Sequence, residues 1–484
     1  MDPFEIQYDT AGHSTADFLI NWKPVELGLG VKMHFRILRL ILFVFTLSSS
    51  SPLKVCGQGE KIRLENGITI FVHSIPEAEY VGAEAFYRVG FLDEPKSMVQ
   101  SSHLIEHLVC YGPGAGFETG QAMDWLNAVG MGNAETLPTL THYDYAVPSQ
   151  ELEKIFEIEA SRLQQSSFSP DLIRREAKRV YEETDYVEQN PRSGMFKHAF
   201  MALSHCWRYN SKSALVRGGL EDLDPEKLLK FYRKTYVPRN LFLVFTGNVS
   251  PQQVQDFANK HLSKIPSLEP PRSPINWTQV KPRNEIRWDS KYSAVCIAWS
   301  PPKDPKDRLL LNILASTVTQ KAMMQNPVQN ECHAIFVSNP IWSVGDLPLF
   351  IYALAKPGES LEQIETKLER FMVAEMNQSL AQSKMAARMI AGNFEFQLQP
   401  QSWTRVQQTA QALAQRGMEK TRSFQQILAQ DALTKGMAYQ FLNEDPQRAF
   451  EQLKLAKPTD FERALKNCMT NQNKKVVYIL PSEK

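Results

Sequence analysis

Hydrophobic and polar residues follow two different spacings along this chain, in short and separate segments. Alternate apolar positions predict strands, and apolar positions three or four residues apart predict helices. In the first half the predicted strands are 61–64, 68–73, 81–89 and 241–245, and the predicted helices are 152–163 and 225–236. The first two strands are joined by Glu65-Asn66-Gly67, a turn that favours a hairpin. The folded part of the chain is therefore expected to contain both strands and helices.

The second half of the chain repeats the first. Pro225 begins a predicted helix and Asn240 precedes a predicted strand, and both have counterparts in Pro458 and Asn473 at the same separation. An internal duplication is the simplest explanation of this agreement. The sequence therefore predicts two homologous halves.

Prolines crowd between the two halves. Their density predicts a proline-rich linker at 266–283, because proline interrupts regular structure and domain boundaries favour such segments. The predicted domains are therefore 58–265 and 284–484.

The first 57 residues differ from the rest. Read from Met33, a basic segment is followed by an apolar run at 40–47, four serines and a possible cleavage site near Cys56. This order is typical of a signal peptide and predicts export to the periplasm or outside the cell. The apolar run is too short to span a bilayer. The alternatives are an extension with an apolar patch, an organelle presequence or an anchor, with the protein cytoplasmic or membrane-anchored.

Composition excludes several classes of function. Of 484 residues, 43% are hydrophobic and 22% charged, as in ordinary globular proteins. A net charge of +1 gives no electrostatic reason to expect a nucleic-acid partner. The six cysteines are scattered without a Cys-x-x-Cys pair, which predicts neither a disulfide scaffold nor a structural zinc ribbon. Cys110 is expected to be a small core residue.

Residues 102–109 combine helical spacing with three groups suited to a hydrolytic metal site. The apolar residues form one stripe, while His103 and His107 lie one turn apart on the other side, so their imidazoles can bind one ion. Glu106 projects beside the same ion without having to be a ligand, where a general base is expected. The alternative is two surface histidines and a glutamate on an amphipathic helix.

A catalytic zinc ion needs a third protein ligand, and a second predicted helix offers it. Ser169 is a good N-cap and Pro170 suits the first helical position. Glu176 and Glu183 are seven residues apart, which places them two turns apart on one helix face. One can bind the ion while the other orients the site. The basic residues within 174–179 are expected to form a solvent-exposed helix face.

This arrangement resembles the pitrilysin (insulinase-like) family of zinc metallopeptidases, more particularly its two-domain branch that includes mitochondrial processing peptidases. That family combines the inverted motif H-x-x-E-H with two later glutamates at the spacing found here. The resemblance implies that His103, His107 and Glu183 bind zinc, that Glu106 is the catalytic base and that Glu176 is a supporting catalytic carboxylate.

Other residues agree with the resemblance, which extends from about Lys61 to the end of the chain. The matching positions are Val89, Gly90, Glu94, Asn133, Ala134, Glu135, Thr136, Thr141 and Tyr143. The resemblance implies that Asn133, Ala134, Glu135 and Thr136 form an edge strand that binds substrate as an added β-strand. It also implies an α+β fold of two homologous halves, each an α/β sandwich, that face each other as a clamshell.

The function implied is a zinc-dependent endopeptidase that hydrolyses peptides or small unfolded polypeptides, with one Zn²⁺ per chain. Zinc is expected to acidify its bound water, from which Glu106 takes the proton before returning it to the leaving amine. Two imidazoles and one carboxylate also suit other first-row metal ions.

The second half lacks this chemistry. Its predicted helix at 307–320 contains neither histidine nor glutamate. The resemblance implies that an arginine and a tyrosine in this half contact the substrate, but residues 323–339 contain neither. His333 lies about where the tyrosine would fall, and it is expected to be structural. Two hypotheses therefore remain: a self-sufficient peptidase, or a non-catalytic or partner-dependent subunit. The expected partners are peptides and, in a homodimer or heterodimer, a related subunit.

Overall fold

Two β-sheets with their helices make up the computed structural model of this protein. The residues described are 60–95, 97–165, 167–189, 220, 222–270, 281–288, 292–324, 326–337, 348–388, 425–426, 428–429, 431–433, 435–436 and 453–481. The predicted signal peptide and part of the predicted linker lie outside them, so both stay predictions. Among the described helices, none has the length and apolar character that crossing a bilayer requires.

The first half forms a six-stranded mixed sheet. Its strands are β1 (Glu60–Arg63), β2 (Thr69–Ser74), β3 (Tyr80–Tyr87), β4 (Met131–Thr136), β5 (Thr141–Pro148) and β6 (Leu241–Gly247). Their order across the sheet is β1-β2-β6-β3-β5-β4. The β2–β6 pair is parallel and the other neighbours are antiparallel. In this order β4, the strand expected to bind substrate, is an edge strand.

The first half contributes six described α-helices. They are α1 (Ser101–Tyr111), α2 (Gln121–Val129), α3 (Leu152–Leu163), α4 (Pro170–Gln189), α5 (Pro225–Thr235) and α6 (Pro251–His261). The hydroxyl of Ser169 accepts a hydrogen bond from the backbone nitrogen of Leu172 at 3.2 Å, which caps α4 as expected. Proline is the first residue of α4, α5 and α6, because its fixed φ suits the first turn.

The second half repeats the topology of the first. Its strands are β7 (Arg283–Trp288), β8 (Ala294–Trp299), β9 (Cys332–Val337), β10 (Leu349–Ala355) and β11 (Lys474–Pro481), and its helices are α7 (Pro305–Met324), α8 (Leu361–Leu380) and α9 (Pro458–Cys468). The order β7-β11-β8-β10-β9 equals that of the first sheet without β1. The β7–β11 pair is again parallel, and its neighbours are antiparallel. The predicted duplication is confirmed.

The repeated asparagines have the same structural role in both halves. The side-chain amide of Asn240 donates to the carbonyl oxygen of Thr235 at 2.8 Å, at the end of α5. The amide of Asn473 donates in the same way to the carbonyl oxygen of Cys468 at 3.1 Å, at the end of α9. Each amide therefore ties a helix end to the start of the next strand, which explains why the spacing between the two anchors is kept.

Alternation along β3 separates the two faces of the first sheet. Val81, Ala83, Ala85 and Tyr87 belong to the main hydrophobic core, under the helices of the first half. Gly82, Glu84 and Phe86 lie on the opposite side, which we call the outer face, because successive side chains of a strand point to opposite faces.

Residues between 425 and 436 cover the outer face, and those described there are helical. A Cβ atom on Gly82 would lie 2.2 Å from the carbonyl oxygen of Leu428, and one on Gly436 would lie 2.0 Å from the Phe86 ring. The hydroxyl of Thr246 donates to the carboxylate of Asp431 at 2.7 Å. Part of the predicted second domain therefore packs directly on the sheet of the first.

Candidate metal centre

The helix that carries the motif, α1, is anchored at its N-terminus by Glu94. The side chain of Glu94 accepts hydrogen bonds from the backbone nitrogens of Gln100 at 2.7 Å and Ser102 at 2.8 Å. The first amides of a helix lack partners within the helix, and a carboxylate there is favoured by the helix dipole. Glu94 accommodates the turn at Gln100, whose φ of 67° is left-handed. It therefore fixes where the helix begins and positions the histidines one turn later.

The two histidines of α1 and Glu183 of α4 form one cluster. His103 and His107 are only 3% and 6% exposed, so the alternative of two surface histidines is wrong. The Nε2 atom of His103 lies 3.2 Å from Glu183 Oε2, and the Nε2 atom of His107 lies 3.5 Å from Glu183 Oε1. Two elements far apart in sequence thus bring two imidazole nitrogens and one carboxylate together.

The spacing of these atoms fits a tetrahedral metal ion. Zinc binds nitrogen and oxygen at about 2.0–2.2 Å, so neighbouring ligands in a tetrahedron lie roughly 3.3–3.6 Å apart. The distances between the histidine nitrogens and Glu183 match this spacing, and the three ligand atoms lie within 4.8 Å of one another. The Glu183 side chain is 38% exposed, so the cluster is open to solvent on one side.

Glu176 supports the cluster from behind. Its Oε2 atom lies 3.4 Å from His107 Nδ1, opposite the nitrogen that faces Glu183. Arg175 donates to Glu176 at 2.8 Å and Arg179 at 3.0 Å. These two arginines are about half exposed, and they do more than form the solvent-exposed face expected from the sequence. They hold a buried carboxylate that orients the imidazole of His107.

Electrostatics within the cluster favour a positive charge between its carboxylates. Burial alone would lower the pKa of His107, but hydrogen bonds to Glu176 and Glu183 outweigh burial and raise that pKa to about 9. Burial would likewise raise the pKa of Glu183, yet hydrogen bonds to His103 and His107 hold it far below its usual range. A metal ion must therefore displace a proton from His107 when it binds.

Glu106 is held beside the cluster and not within it. Its Oε2 atom accepts a hydrogen bond of 2.6 Å from the hydroxyl of Thr136, which is the last residue of β4. Of the four residues expected to bind substrate, Thr136 is thus in contact with Glu106, whereas Glu135 lies 3.7 Å from His142. The carboxylate of Glu106 is oriented by the edge strand, in the position expected of a general base.

Replacing Glu176 with glutamine is expected to lower zinc affinity about 10–100-fold. The amide keeps the shape of the side chain but loses the charge that raises the basicity of His107. Competition with a chromophoric chelator measures the affinity. The matched control is Glu182→Gln on the same helix, whose side chain is 65% exposed and which should leave affinity unchanged. Equal affinities in both variants would contradict a supporting role for Glu176.

Glu159 and Arg162 form a buried ion pair that was not expected from the sequence. Arg162 donates to Glu159, which also accepts hydrogen bonds from the hydroxyls of Tyr145 and, at 2.7 Å, Tyr87. The guanidinium lies 3.8 Å from the centre of the Tyr143 ring. In the sequence, Glu159 and Arg162 are three residues apart on a predicted helix, which is the spacing of an ordinary surface ion pair. Only the packing of α3 on the sheet buries them.

Two further expectations concern single residues. Cys110 is a buried free thiol, and burial raises its pKa to about 12, so its core assignment is confirmed. In the second half, α7 contains neither histidine nor glutamate. The ring of His333 packs edge-on against Tyr292, with ring centres 5.3 Å apart.

Comparisons with known proteins follow the same division of the chain. The family model described as Insulinase (Peptidase family M16) matches residues 71–213, and the model described as Peptidase M16 inactive domain matches residues 222–333. Together the two matches cover more than half of the chain. The first contains all five residues of the candidate centre.

Curated relatives and solved structures agree with these matches. The zinc protease PqqE of Helicobacter pylori is 22% identical over 246 residues, which are 49% of this chain and 55% of the relative. The beta subunit of the mitochondrial-processing peptidase of Neurospora crassa is 23% identical over 219 residues, or 45% and 46% of the two chains. The chain thus spans about half the length of the curated relatives it matches.

A similar fold is known from the crystal structure of a protease from Helicobacter pylori, with a TM-score of 0.57 and 16% sequence identity over 88% of this chain and 99% of that chain. This likeness supports the fold alone. The two family matches, the duplicated sheets and the cluster on α1 and α4 lead to one conclusion. The chain belongs to the insulinase, or pitrilysin, family of peptidases.

Proposed function

We propose that this protein is a zinc-dependent endopeptidase that hydrolyses peptides or small unfolded polypeptides. The observation that carries the proposal is the convergence of His103, His107 and Glu183 at the spacing of zinc ligands. Glu106 is buried beside them and oriented by Thr136. A scaffold protein has no need for this combination of ligands and a base.

The residues divide the chemistry between them. His103, His107 and Glu183 would hold a zinc ion, which would supply the Lewis acidity needed to polarise a peptide carbonyl and acidify water. Glu106 takes the proton from the attacking water and returns it to the leaving amine. The hydroxyl of Thr136 holds one carboxylate oxygen of Glu106 and thereby fixes the orientation of the base.

The edge strand β4 accounts for the expected class of substrate. Among the described residues no strand pairs with the outer edge of β4. An extended peptide can pair there through main-chain hydrogen bonds, which tolerate many sequences. A strand inside a folded sheet already has its main-chain groups paired and cannot pair in this way unless the domain unfolds locally. Because Thr136 ends β4 and contacts Glu106, a peptide bound along this edge lies next to the base.

The test is cleavage of a quenched peptide library by the full chain before and after removal of metal. Cleavage is expected to fall to background after dialysis against a chelator and to return when about one equivalent of Zn²⁺ is added back. Activity that survives complete removal of metal would refute the proposal.

A second candidate is a subunit that is active only with a related chain. The chain is similar to a protein named as a subunit of a processing peptidase, and residues 323–339 contain neither arginine nor tyrosine. Native mass spectrometry of the protein produced from its single gene, followed by the same cleavage assay, separates the candidates. Cleavage by the chain alone, as monomer or homodimer, rules out dependence on a second subunit.

A further inference from the structure

A second group of metal-binding side chains lies on the outer face of the first sheet. It consists of Glu84 on β3 with His142 and Asp144 on β5, and their ligand atoms lie within 4.8 Å of one another. All three side chains are buried, and Glu84 is fully so. The group is separate from the candidate zinc centre, because Glu106 and its partner Thr136 lie on the helix-covered side.

The hydrogen bonds of this group leave it incomplete. The Nδ1 atom of His142 lies 2.6 Å from Glu84 Oε1 and 2.9 Å from Asp144 Oδ1, so one ring nitrogen contacts both carboxylates. Glu84 Oε2 is buried and has no hydrogen-bond partner among the described residues. A buried carboxylate oxygen without a partner is costly.

Charge within the group is also unbalanced. Glu84 and Asp144 are direct partners across β3 and β5, where like charges destabilise the pairing. A cation held between the two carboxylates relieves this repulsion.

The segment that covers the outer face does not supply that charge from its described residues. Its Lys435 donates to Asp431 and, at 3.2 Å, to Thr246, so this cation is already paired. Thr246 lies opposite Gly82 in the sheet, one position along the outer face from Glu84.

The second ring nitrogen of His142 faces a carboxylate, as the second nitrogen of a metal-bound histidine usually does. The Nε2 atom of His142 lies 3.7 Å from Glu135 Oε2, much as His107 faces Glu176 through its second nitrogen. Histidines that bind metals usually donate their other N–H to a carboxylate, which fixes the ring and raises its basicity. Glu135 is 28% exposed and lies on the edge strand, so an ion can approach from this edge.

We propose that Glu84, His142 and Asp144 bind a second divalent metal ion, of the first-row type that accepts one imidazole and two carboxylates. Such ions are Mn²⁺, Fe²⁺ and Zn²⁺. Neighbouring ligands of an octahedral ion at about 2.1 Å lie roughly 3.0 Å apart. The contact between His142 and Asp144 already has this length, and that to Glu84 must open by a few tenths of an ångström. The ion joins β3 to β5 and, through Glu135, holds the edge strand.

The experiment counts metal ions in full-length protein after chelator dialysis, reloading with Mn²⁺ or Zn²⁺ and removal of excess. Wild type is expected to retain about two equivalents, and His103→Ala, Glu84→Gln and their double variant about one, one and none. Glu79→Gln is the matched control, since this exposed residue directly precedes β3 and should leave both ions bound. Elemental analysis gives the counts.

Complete loss of metal in His103→Ala would overturn the proposal, because this variant should still hold the second ion. An ion kept by the double variant would also overturn it, because that ion would be bound elsewhere on the surface. If Glu84→Gln fails to fold, the His103→Ala variant alone tests the second site. Its thermal unfolding midpoint should rise when metal is added, and an unchanged midpoint together with no bound ion would refute the site. Neither the metal count nor the thermal midpoint requires peptide cleavage. Failure of the second metal site can therefore be distinguished from failure of the proposed peptidase function.

Discussion

Replacing Glu106 with glutamine is expected to lower kcat/KM for peptide cleavage by about 10²–10⁴-fold while zinc remains bound. Glutamine cannot accept the proton of the attacking water. It does keep the size of the side chain, and its amide oxygen can still accept the hydrogen bond from Thr136. The carboxylate lies outside the group of ligand atoms, so zinc content should not change.

The experiment measures cleavage and metal content on the same preparations. The control is Glu118→Gln, an exposed glutamate that follows α1 and should match wild type in both. If Glu106→Gln loses zinc, Glu106 is a ligand and another base must be sought. If the variant keeps both zinc and activity, the mechanism proposed for Glu106 is wrong.

Replacing Arg162 with methionine is expected to lower the free energy of unfolding by about 3–5 kcal/mol. Methionine fills much of the same space, but Glu159 then stays fully buried without its cation. The hydroxyls of Tyr87 and Tyr145 still donate to Glu159, which offsets only part of the cost of the isolated charge. Urea unfolding followed by fluorescence measures the change.

A double variant distinguishes the lost charge from lost packing. Adding Glu159→Gln to Arg162→Met removes the unpaired carboxylate, and most of the lost stability should return. Arg174→Met serves as the control, because its ion pair with Asp171 is exposed and such pairs contribute about 0–1 kcal/mol. If Arg162→Met is no more destabilising than this control, the buried pair does not stabilise the fold as described.

Local spacing was enough to predict the duplication and the two helices that carry the candidate metal centre, whereas the choice of Glu183 over Glu176 as the third ligand came from the resemblance to the pitrilysin family. His103 and His107 one turn apart, with two glutamates two turns apart on another helix, describe geometry that each helix fixes by itself. The predicted helix 152–163 has the bounds of α3. The asparagines that tie helix ends to strands kept their spacing because the same contact recurs in both halves.

Contacts between segments that are distant in the sequence could not be predicted from local spacing. Alternation along β3 separates two faces of a sheet but does not say what covers each, so burial of Glu84 beside Asp144 could not be foreseen. The same holds for Glu94, whose role depends on a left-handed turn at Gln100, a conformation that non-glycine residues adopt rarely. The pairing of Arg175 and Arg179 with Glu176 likewise depends on what faces α4.

The covering of the outer face by residues 425–436 sets an order for events during synthesis. The first sheet is complete once β6 has been made, but Phe86 and Phe242, stacked with ring centres 4.4 Å apart, lie on a face whose cover is encoded roughly 190 residues later. At about 5–20 residues per second, the ribosome needs on the order of 10–40 s to deliver it. During that interval the stacked Phe86 and Phe242 rings on the outer face lack their cover, so chaperones that bind exposed aromatic side chains have a defined period in which to act.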